Sequence, residues 1–252
     1  MGNMKGVITA AGLGTRSGLD GKFRKEMLPL YDCRDGRIVL RPVLDCIISG
    51  MINSGLKDIA CVINPTDMIT RTYINNEFQD VEILYQPRAD GYGNAVLMAD
   101  DFVSGEDFIL NAGDGFLADG GEFFHSAVNG HFKGRSTLNI MKVDNPRNYG
   151  CPAIEEHNGE IRVISVDEKP ANPRSEYGLC AVYFLNSDVM DNLRDTEKIG
   201  GELTPAINMS IQKGKEVSAR KVEREKWLSV GKAKKYAEVL RRSLEESELR
   251  GC

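Results

Sequence analysis

A glycine-bearing stretch near the N-terminus carries residue types suited to binding phosphate. It reads AAGLGTR and overlaps the end of KGVITA (residues 5–10), a mostly apolar run that predicts a buried first strand of an α/β sheet. Gly12 and Gly14 allow a tight turn in which main-chain N–H groups approach phosphate oxygens. Thr15 and Arg16 add a hydroxyl and a guanidinium. Because open α/β sheets bind ligands at the carboxyl ends of their strands, the stretch is a candidate phosphate loop.

The glycines alone leave other interpretations to consider. A dinucleotide fold needs G-x-G-x-x-G running directly into a helix, but Ser17 stands at the third glycine position. The chain then continues through Lys25 to Pro29, which is poor helix material. A Walker A loop is excluded because no Gly-Lys-Ser/Thr closes the stretch. A structural turn without a ligand stays open at this point.

The composition bounds the class of protein. The chain has 252 residues, of which 41% are hydrophobic and 27% charged, enough for one large α/β domain or two small ones. Its formal net charge of −5 argues against a general nucleic-acid binder, whose phosphate contacts usually produce a basic excess. We therefore expect no nucleic-acid partner, and a polyanionic ligand would have to meet a local cluster of Lys and Arg.

Cysteine usage and hydropathy indicate a cytoplasmic location. The six cysteines form no CxxC pair and have no histidine at metal-binding spacing, which predicts reduced thiols; they are Cys33, Cys46, Cys61, Cys151, Cys180 and Cys252. No apolar run approaches the ~20 residues that cross a bilayer. The N-terminus enters a strand without a signal-peptide pattern, so we expect no membrane partner.

Strands and helices alternate in the first part of the chain. After the candidate loop, we predict helices over 41–54, 66–78 and 95–102 and strands over 57–63, 81–85 and 108–111. The segment from Gln86 to Ala95 is a polar, glycine-bearing turn between a strand and a helix. This order predicts a parallel sheet with right-handed crossovers, so that the strand ends gather at one edge.

The pattern changes at about residue 136. We predict strands over 136–143, 153–156, 160–167 and 179–185, helices over 187–194 and 204–213, short strands over 216–222 and 226–230, and a final helix over 232–249. Asn158-Gly159 is a strong hairpin signal between two of these strands. We expect a mixed-sheet region beside the first one, within a single domain (1–252) of two halves, 1–135 and 136–230, and a C-terminal helix, 231–252.

Several short motifs occur in an order that resembles the sugar-1-phosphate nucleotidyltransferases, most closely the short glucose-1-phosphate uridylyl- and thymidylyltransferases. They are G-x-G-T-R (12–16) with K-x-x-L-P (25–29), Gln-Pro through glycine to alanine (86–95), Gly-Asp (113–114), P-x-x-Y-G (146–150), E-K-P (168–170), G-E-L-T (201–204) and the segment 227–231. Any one of these motifs is weak, since each residue could be a solvated charge or a turn former. Because the motifs occur in the family's order over most of residues 5–231, a functional site is favoured over a set of unrelated surface charges and turns.

The resemblance implies a fold, a reaction and two substrates. The fold would be α/β, with a Rossmann-like mixed, mainly parallel central sheet flanked by helices and a smaller sugar-side β region. The reaction would join a pyrimidine nucleoside triphosphate, UTP or dTTP, to a sugar-1-phosphate such as glucose-1-phosphate, giving an NDP-sugar and pyrophosphate with Mg²⁺ as cofactor. Such transfer depends on positioning and charge neutralisation more than on a protein nucleophile. Relatives of this length are usually dimers or tetramers, which implies a homo-oligomer.

The resemblance also implies roles for particular residues. Arg16, Lys25 and Asp114 would be catalytic, with Asp114 holding Mg²⁺. The nucleotide would be bound by Ala11, Gly12, Gly14, Thr15, Gln86 and Gly91, the last two reading the base. The sugar phosphate would be bound by Gly150, Glu168, Lys169, Tyr183 and Glu202. The histidines fall outside every motif, and Trp227 is interpreted as a core or sheet residue.

The chain departs from the family pattern at its last motif. W-x-D-x-G normally supplies a second metal aspartate, but here Ser229 stands in that place, and a hydroxyl is a weaker ligand than a carboxylate for Mg²⁺. Pro205 and Ala181 replace an aspartate and a glycine on the sugar side. Three hypotheses follow: an active enzyme, an enzyme with an altered sugar partner, and a nucleotide- or NDP-sugar-binding regulatory homologue without turnover.

Overall fold

The protein is built around one large mixed sheet, seen in a computed structural model that describes residues 4–14, 17–19, 23–196 and 201–251. The strands are β1 Lys5–Thr9, β2 Pro29–Arg34, β3 Arg37–Pro42, β4 Asp58–Ile63, β5 Val81–Tyr85, β6 Phe108–Ala112, β7 Gly115–Leu117, β8 Ser136–Lys142, β9 Gly150–His157, β10 Glu160–Glu168, β11 Tyr177–Leu185, β12 Val217–Lys221 and β13 Trp227–Ser229. The helices are α1 Val43–Asn53, α2 Met68–Glu77, α3 Tyr92–Leu97, α4 Asp100–Val103, α5 Glu122–Val128, α6 Asp188–Thr196, α7 Leu203–Gln212 and α8 Ala233–Leu249.

The central sheet has nine strands in the order β5-β4-β1-β6-β11-β8-β12-β10-β9. Strands β5, β4, β1 and β6 are parallel to one another. Strand β11 then pairs antiparallel with both β6 and β8, so the second half of the chain extends the same sheet rather than forming a separate region beside it. The carboxyl ends of β1 and β6 therefore lie side by side, where ligands bind in open α/β sheets.

Side-chain alternation along β1 explains how the sheet is covered on both faces. Val7 packs into a buried cluster with Ala206 and Ile207 of α7, whereas Ile8 packs into another cluster with Ile47 of α1. Both strand residues are fully buried. Successive side chains of a strand point to opposite faces, so a continuous apolar run is what a sheet covered by helices on both sides requires. The predicted mixed α/β fold is confirmed.

The observed elements differ from the predicted ones in four places. The β2–β3 hairpin was not predicted, although its turn is Asp35-Gly36, with φ of 50° and 70°, a pairing typical of hairpins. Strand β7 and helix α5 were also missed. The helix predicted over 95–102 is broken into α3 and α4 around Met98 and Ala99.

Helix α8 holds the β2–β3 hairpin against the body of the protein. The Tyr236 hydroxyl donates a hydrogen bond of 2.7 Å to the carbonyl of Pro29, and the main-chain N–H of Tyr31 donates to Ser243 Oγ at 3.0 Å. The same helix also makes apolar contacts, because Tyr236 and Leu240 pack on the main core. The hairpin thus depends on a helix more than 190 residues further along the chain.

The cysteine prediction is wrong at one position. Cys33 on β2 is disulfide-bonded, whereas Cys46, Cys61, Cys151 and Cys180 are free and buried. Burial raises the pKa of the Cys61 thiol far above its usual range, so this group is an inert part of the core. Within the described part of the chain, none of the helices combines the length and the apolarity needed to span a bilayer.

Candidate active site

A cavity of about 630 Å³ at the carboxyl ends of β1 and β6 brings together most of the predicted site residues. Those that line it are Ala11, Gly12, Lys25, Gln86, Gly91, Asp114, Gly150, Glu168, Lys169, Tyr183 and Glu202. They come from both halves of the chain and are separated by up to 191 positions in the sequence (11 to 202). The sheet order explains this, because β11 places the second half directly beside β6.

The glycine-bearing loop forms one rim of the cavity. Gly14 has a φ of 64°, a conformation in which a side chain is strained, and the Ser17 main-chain N–H donates to its carbonyl at 2.9 Å. Arg24 ties this loop to α2, because its Nη1 lies 3.4 Å from the Gly12 carbonyl and its Nε 3.3 Å from the carboxylate of Asp67. The predicted Thr15 and Arg16 lie outside the described residues.

Lys25 and Asp114 are in direct contact at the wall of the cavity. Lys25 lies on a 3-10 turn, Lys25–Met27, and its Nζ is 2.6 Å from Asp114 Oδ2. The side chains of both residues are only about one-fifth exposed, at 18% and 20%. A lysine and a carboxylate at this distance form a charge-assisted hydrogen bond. The pair places one positive and one negative group where a metal-bound triphosphate would need both.

The turn that carries Asp114 is held from two sides. Asn111, fully buried, donates from Nδ2 to the carbonyls of Ala112 and Gly115 at 2.7 and 2.8 Å. The main-chain N–H of Val230 donates to the Asp114 carbonyl at 2.8 Å. Because β13 pairs with β7, the last motif of the chain is fixed beside this aspartate. The neighbouring Gly113 has no room for a side chain, since an added Cβ would lie 3.1 Å from the Thr9 carbonyl.

Glu26 is a charged residue of the site to which the sequence analysis assigned no role. It is 1% exposed, its Oε1 is 3.7 Å from Lys25 Nζ, and its Oε2 has no hydrogen-bond partner. Burial raises its pKa to about 7; the charge of Lys25 opposes this shift and that of Asp114 adds to it. Its place inside K-x-x-L-P was the available signal, but an acidic residue beside a lysine resembles an ordinary surface pair.

The predicted base-reading turn is a closed hydrogen-bonded unit. Gln86 is 3% exposed, and its Nε2 donates to the Gly91 carbonyl at 3.1 Å and to Asn94 Oδ1 at 2.8 Å. Gly91 has a φ of 104° and directly precedes α3. Tyr92 follows it and also lines the cavity, with burial raising the pKa of its hydroxyl. Tyr92 was missed by the sequence analysis, although it adjoins the predicted Gly91.

Two glycines let the base-side turn contact the sugar-side segment. A Cβ added to Gly93 would lie 2.7 Å from the carbonyl carbon of Glu202, and one added to Gly201 would lie 2.3 Å from the Asp90 carbonyl oxygen. Real Cβ atoms do not approach so closely. The main-chain N–H of Asn94 also donates to the Gly201 carbonyl at 3.0 Å. The backbone of the nucleotide half therefore touches the backbone of the sugar half at the cavity wall.

The sugar-side residues form a more open group. Lys169 Nζ contacts the carboxylate of its neighbour Glu168, and the two side chains are 49% and 32% exposed. Lys169 has a φ of 44°, a strained value for a residue with a side chain, and its main-chain N–H donates to the Tyr149 carbonyl at 3.1 Å. Burial, and then the charge of Glu168, raise the pKa of Glu202. Tyr183 lies at the buried end of this wall.

The donor set near Asp114 suits a magnesium ion held mainly by one carboxylate. Asp114 Oδ2 and Ser229 Oγ lie 2.7 and 3.6 Å from one common point, the position a Cβ on Gly231 would take, so the hydroxyl stands where the family pattern has a carboxylate. No cluster of three or more His, Cys, Asp or Glu suited to a metal occurs in the residues the structure describes. Because Mg²⁺ keeps several waters and binds through one or two carboxylates plus substrate phosphates, this smaller set still fits it.

Solved structures share this architecture. The fold superposes on a UDP-glucose pyrophosphorylase complexed with UDP-glucose with a TM-score of 0.79, at 19% identity, covering 98% of this chain and 99% of that one. It also superposes on a UTP-bound UGPase from Acinetobacter baumannii with a TM-score of 0.74, at 22% identity, covering 96% and 92%. At these identities the likeness defines the fold, an α/β sheet of the nucleotide-sugar pyrophosphorylase type.

The sequence defines the family. Residues 5–246 match the profile described as nucleotidyl transferase, and the chain belongs to that family. It is 33% identical over 214 residues to the bifunctional protein GlmU of Methanococcus aeolicus, a match covering 83% of this chain and 47% of that protein. It is 27% identical over 198 residues to the glucose-1-phosphate thymidylyltransferase of Neisseria meningitidis, covering 75% and 63%. The matches thus span about half to two-thirds of the length of these curated relatives.

Proposed function

We propose that the protein is a sugar-1-phosphate nucleotidyltransferase, which joins UTP or dTTP to a sugar-1-phosphate, glucose-1-phosphate first among the candidates, and releases pyrophosphate. One observation carries the proposal: Lys25, Asp114 and Lys169 line a single cavity large enough for both substrates. Family membership and the names of the relatives support the same reaction class. The attacking oxygen belongs to the sugar phosphate, so the protein needs to position and neutralise two anions.

The nucleotide half (1–135) would hold the triphosphate. Lys25 would contact the phosphate oxygens from one side, and the main-chain N–H groups around Ala11 and Gly12 would contact them from the other. Gly14 would give the loop its turn, and Thr15 and Arg16 would add further contacts to the triphosphate. Charge-assisted contacts of this kind are each worth roughly 1.5–3 kcal/mol. Lys25 Nζ lies 2.6 Å from Asp114 Oδ2, so the lysine contacts the residue that would hold the metal.

Gln86 and Gly91 would recognise the base. The side-chain nitrogen of Gln86 is engaged within the turn, and its Oε1 takes no part in those two hydrogen bonds. That oxygen could accept a hydrogen bond from the imide N–H that uracil and thymine share, with the main chain at Gly91 completing the contact. A pyrimidine fits this arrangement, and relatives named for thymidylyl transfer and neighbours named for UDP-glucose support both bases.

Asp114 would hold Mg²⁺, with the Ser229 hydroxyl as a weak additional or water-mediated ligand. Bound there with the triphosphate, Mg²⁺ would supply charge stabilisation at the α-phosphate and the leaving pyrophosphate. On the sugar side (136–230), Lys169 would clamp the sugar phosphate and orient its oxygen towards the α-phosphorus. Gly150, Glu168, Tyr183 and Glu202 would contact the sugar, and the raised pKa of Glu202 lets it donate as well as accept hydrogen bonds over a wider pH range.

The remaining expectations complete the proposal. We propose one catalytic domain over 1–252, a cytoplasmic location where nucleoside triphosphates are made, and a homo-oligomer built partly on α8 (part of 231–252). Four free, buried cysteines suit a reducing compartment. The disulfide of Cys33 is the exception, and it gives a direct check because reducing agents should leave turnover intact if the location is cytoplasmic.

A pyrophosphate-release assay tests the function. UTP and dTTP are each combined with Mg²⁺ and a panel of sugar-1-phosphates including glucose-1-phosphate, and pyrophosphate is measured over time. Release with at least one pair is expected, and its absence with every pair rejects the enzyme proposal. The test variant is Lys25→Ala, expected to slow release by about 10²–10³-fold. Its matched control is Lys142→Ala, which changes an exposed lysine that pairs with Glu176 away from the cavity.

Ser229 favours a second candidate, a regulatory homologue that binds nucleotide or NDP-sugar without turnover, because the usual second metal carboxylate is missing. Isothermal titration calorimetry separates the two functions. The regulatory function predicts micromolar or tighter binding of UTP, dTTP or UDP-glucose together with no pyrophosphate release. Release by the wild-type protein excludes it.

A further inference from the structure

A second cavity, of about 240 Å³, adjoins the substrate cavity beside Asp114. The two cavities are neighbours, because five residues line both of them: Asp114, Asn148, Tyr149, Leu179 and Ala181. The rest of the second cavity is formed by Met141 of β8, by the segment from Arg224 to Lys232, which includes β13, and by the first ten residues of α8. Of the residues predicted for nucleotide binding, none that the structure describes lines it. The second cavity adjoins the part of the substrate cavity that the second half of the chain forms.

The lining of this second cavity is basic. It contains four cationic side chains, Arg224, Lys232, Lys235 and Arg242, against the two carboxylates Asp114 and Glu238. Arg224 is neutralised by a bidentate contact with Asp144 at 2.8 and 2.7 Å, and Arg242 by Glu238 at 2.8 Å. The two arginines are therefore already paired.

The two lysines of this lining are not neutralised in the same way. Among the residues that the structure describes, no carboxylate forms an ion pair with Lys232 or Lys235. Lys232 Nζ lies 5.6 Å from the centre of the Tyr149 ring, a cation–π contact that holds it at the boundary with the substrate cavity. Lys235 is exposed, and its charge adds to the effect of Arg224 in lowering the pKa of Asp144, a carboxylate that Arg224 already pairs with. Cations on the walls of a concave site focus positive potential into it and concentrate anions there.

We propose that this second cavity is a subsite for a second anionic group, a carboxylate or a phosphate, carried by the sugar-1-phosphate substrate. The inference rests on the proposed function and narrows its substrate to acidic sugar phosphates. The position of the cavity favours the sugar over the nucleotide. Its shared walls are Tyr149, Leu179 and Ala181 on the sugar side, whereas Lys25 and Gln86 line only the first cavity.

Free pyrophosphate is the competing source of the same chemistry, because it also carries phosphate groups and leaves close to Asp114. An acidic sugar phosphate and released pyrophosphate would contact the lysines at different steps of the reaction. An acidic substituent on the sugar would be held during binding of the sugar phosphate and would change kcat/KM. Released pyrophosphate would change only product inhibition. The experiment therefore includes both ligands.

The test compares substrates that differ in one group. Initial rates are measured with glucose-1-phosphate, glucuronic acid 1-phosphate and glucose 1,6-bisphosphate, for the wild type, Lys232→Ala/Lys235→Ala and the control Lys234→Ala. Lys234 lies on the same turn of α8 and is exposed, but it does not line the cavity. The wild type should prefer an acidic sugar phosphate, and the double variant should lower the acidic-to-neutral ratio of kcat/KM by about tenfold, the equivalent of one lost charged contact.

Three results would overturn the subsite. They are a ratio that the double variant leaves unchanged, a ratio that Lys234→Ala lowers equally, and an effect confined to inhibition by added pyrophosphate. Calorimetry with glucuronic acid 1-phosphate and the same variants separates this inference from the proposed function. Binding that weakens only in the double variant, with no turnover of any substrate, would support the subsite and reject the enzyme. Turnover of glucose-1-phosphate, with glucuronic acid 1-phosphate bound equally well by the wild type and the double variant, would support the enzyme and reject the subsite.

Discussion

Two lysine–carboxylate pairs stand on opposite walls of the substrate cavity, and they are built differently. Lys25 and Asp114 are 89 positions apart in sequence and meet at 2.6 Å with side chains of 18% and 20% exposure. Lys169 and Glu168 are chain neighbours, with side chains of 49% and 32% exposure. The first pair joins the 3-10 turn before β2 to the turn after β6, so it needs the tertiary fold, whereas the second joins two adjacent residues.

The difference concerns how strongly each pair can act on a ligand. Electrostatic interactions strengthen as water is excluded, so the half-buried pair acts on phosphate at a lower effective dielectric than the exposed one. The Lys25 side is set in place by the fold, with Asn111 and Val230 fixing the partner aspartate. Lys169 is instead oriented by a strained backbone with a φ of 44°. We therefore expect the first pair to control turnover and the second to control sugar-phosphate affinity.

The largest expected effect is at the buried pair. Lys25→Ala and Asp114→Ala should each lower kcat by about 10²–10³-fold, because each removes a preorganised charge at the reacting phosphates. Steady-state pyrophosphate release measures this, with Lys142→Ala as the control and circular dichroism to show that the variants are folded. A loss below tenfold in both variants would mean that the comparison between the two pairs is wrong.

The exposed pair should give a smaller effect of a different kind. Lys169→Ala should raise KM for the sugar-1-phosphate by about 10–100-fold, equal to one charged hydrogen bond, while KM for the nucleotide changes little. Varying each substrate in turn separates the two constants. Lys221→Ala, a lysine paired with Glu156 on the surface, serves as the control. If the nucleotide KM rises as much as that of the sugar, Lys169 does not belong to the sugar side alone.

Glu26 extends the comparison from activity to stability. Its folded pKa of about 7 exceeds the usual 4.5, so between these values the folded protein holds a proton that the unfolded chain has released. The stability of the wild type should therefore fall as pH rises through this window. Glu26→Gln, which cannot ionise, should be more stable than the wild type by about 1–3 kcal/mol at pH 8 and nearly equal to it below pH 4.5.

Chemical denaturation across this pH range measures the difference, with Glu82→Gln, on an exposed position of β5, as the control. An advantage of Glu26→Gln that is the same at every pH would show that the ionisation of Glu26 is not responsible. A destabilised variant at pH 8 would show that the charged form is favoured by Lys25 more than burial disfavours it.

The smallest expected effect is at Ser229. Ser229→Ala should change kcat by no more than about twofold, since a neutral hydroxyl contributes little to holding Mg²⁺ beside a carboxylate. Ser229→Asp is the informative partner variant, because it should lower the Mg²⁺ concentration needed for half-maximal rate. Magnesium titrations of both variants measure this. A large loss in the alanine variant would assign Ser229 a direct catalytic role.

Local signals predicted much of this molecule. The apolar runs located β1, β4 and β6, and Asn158-Gly159 formed the expected hairpin with φ of 51° and 83°. The ordered motifs selected eleven residues that line one cavity. Such features depend on residues close together in sequence, whose propensities act before any tertiary contact.

The rest depended on contacts between distant segments. Nothing near Glu26 in the sequence shows that its carboxylate is buried, because the groups around it include distant segments, the Gly113–Asp114 turn and Cys61 of β4. The β2–β3 hairpin has mostly exposed or half-buried strands and is held by α8, so its hydrophobic pattern is weak. The basic cavity beside Asp114 likewise combines β13 with α8 and has no signature in either segment alone.

The contact between Gly93 and the segment at Gly201 has a consequence for how this site can evolve. Under the proposed function, the side chains that would contact the base or the sugar can change one at a time, so preference for either can drift by single substitutions. The spacing between the two ligands cannot drift in this way, because a methyl group at either glycine would collide with main-chain atoms of the other half. The distance between the proposed nucleotide and sugar sites should therefore stay constant even where the molecules bound at the two sites change.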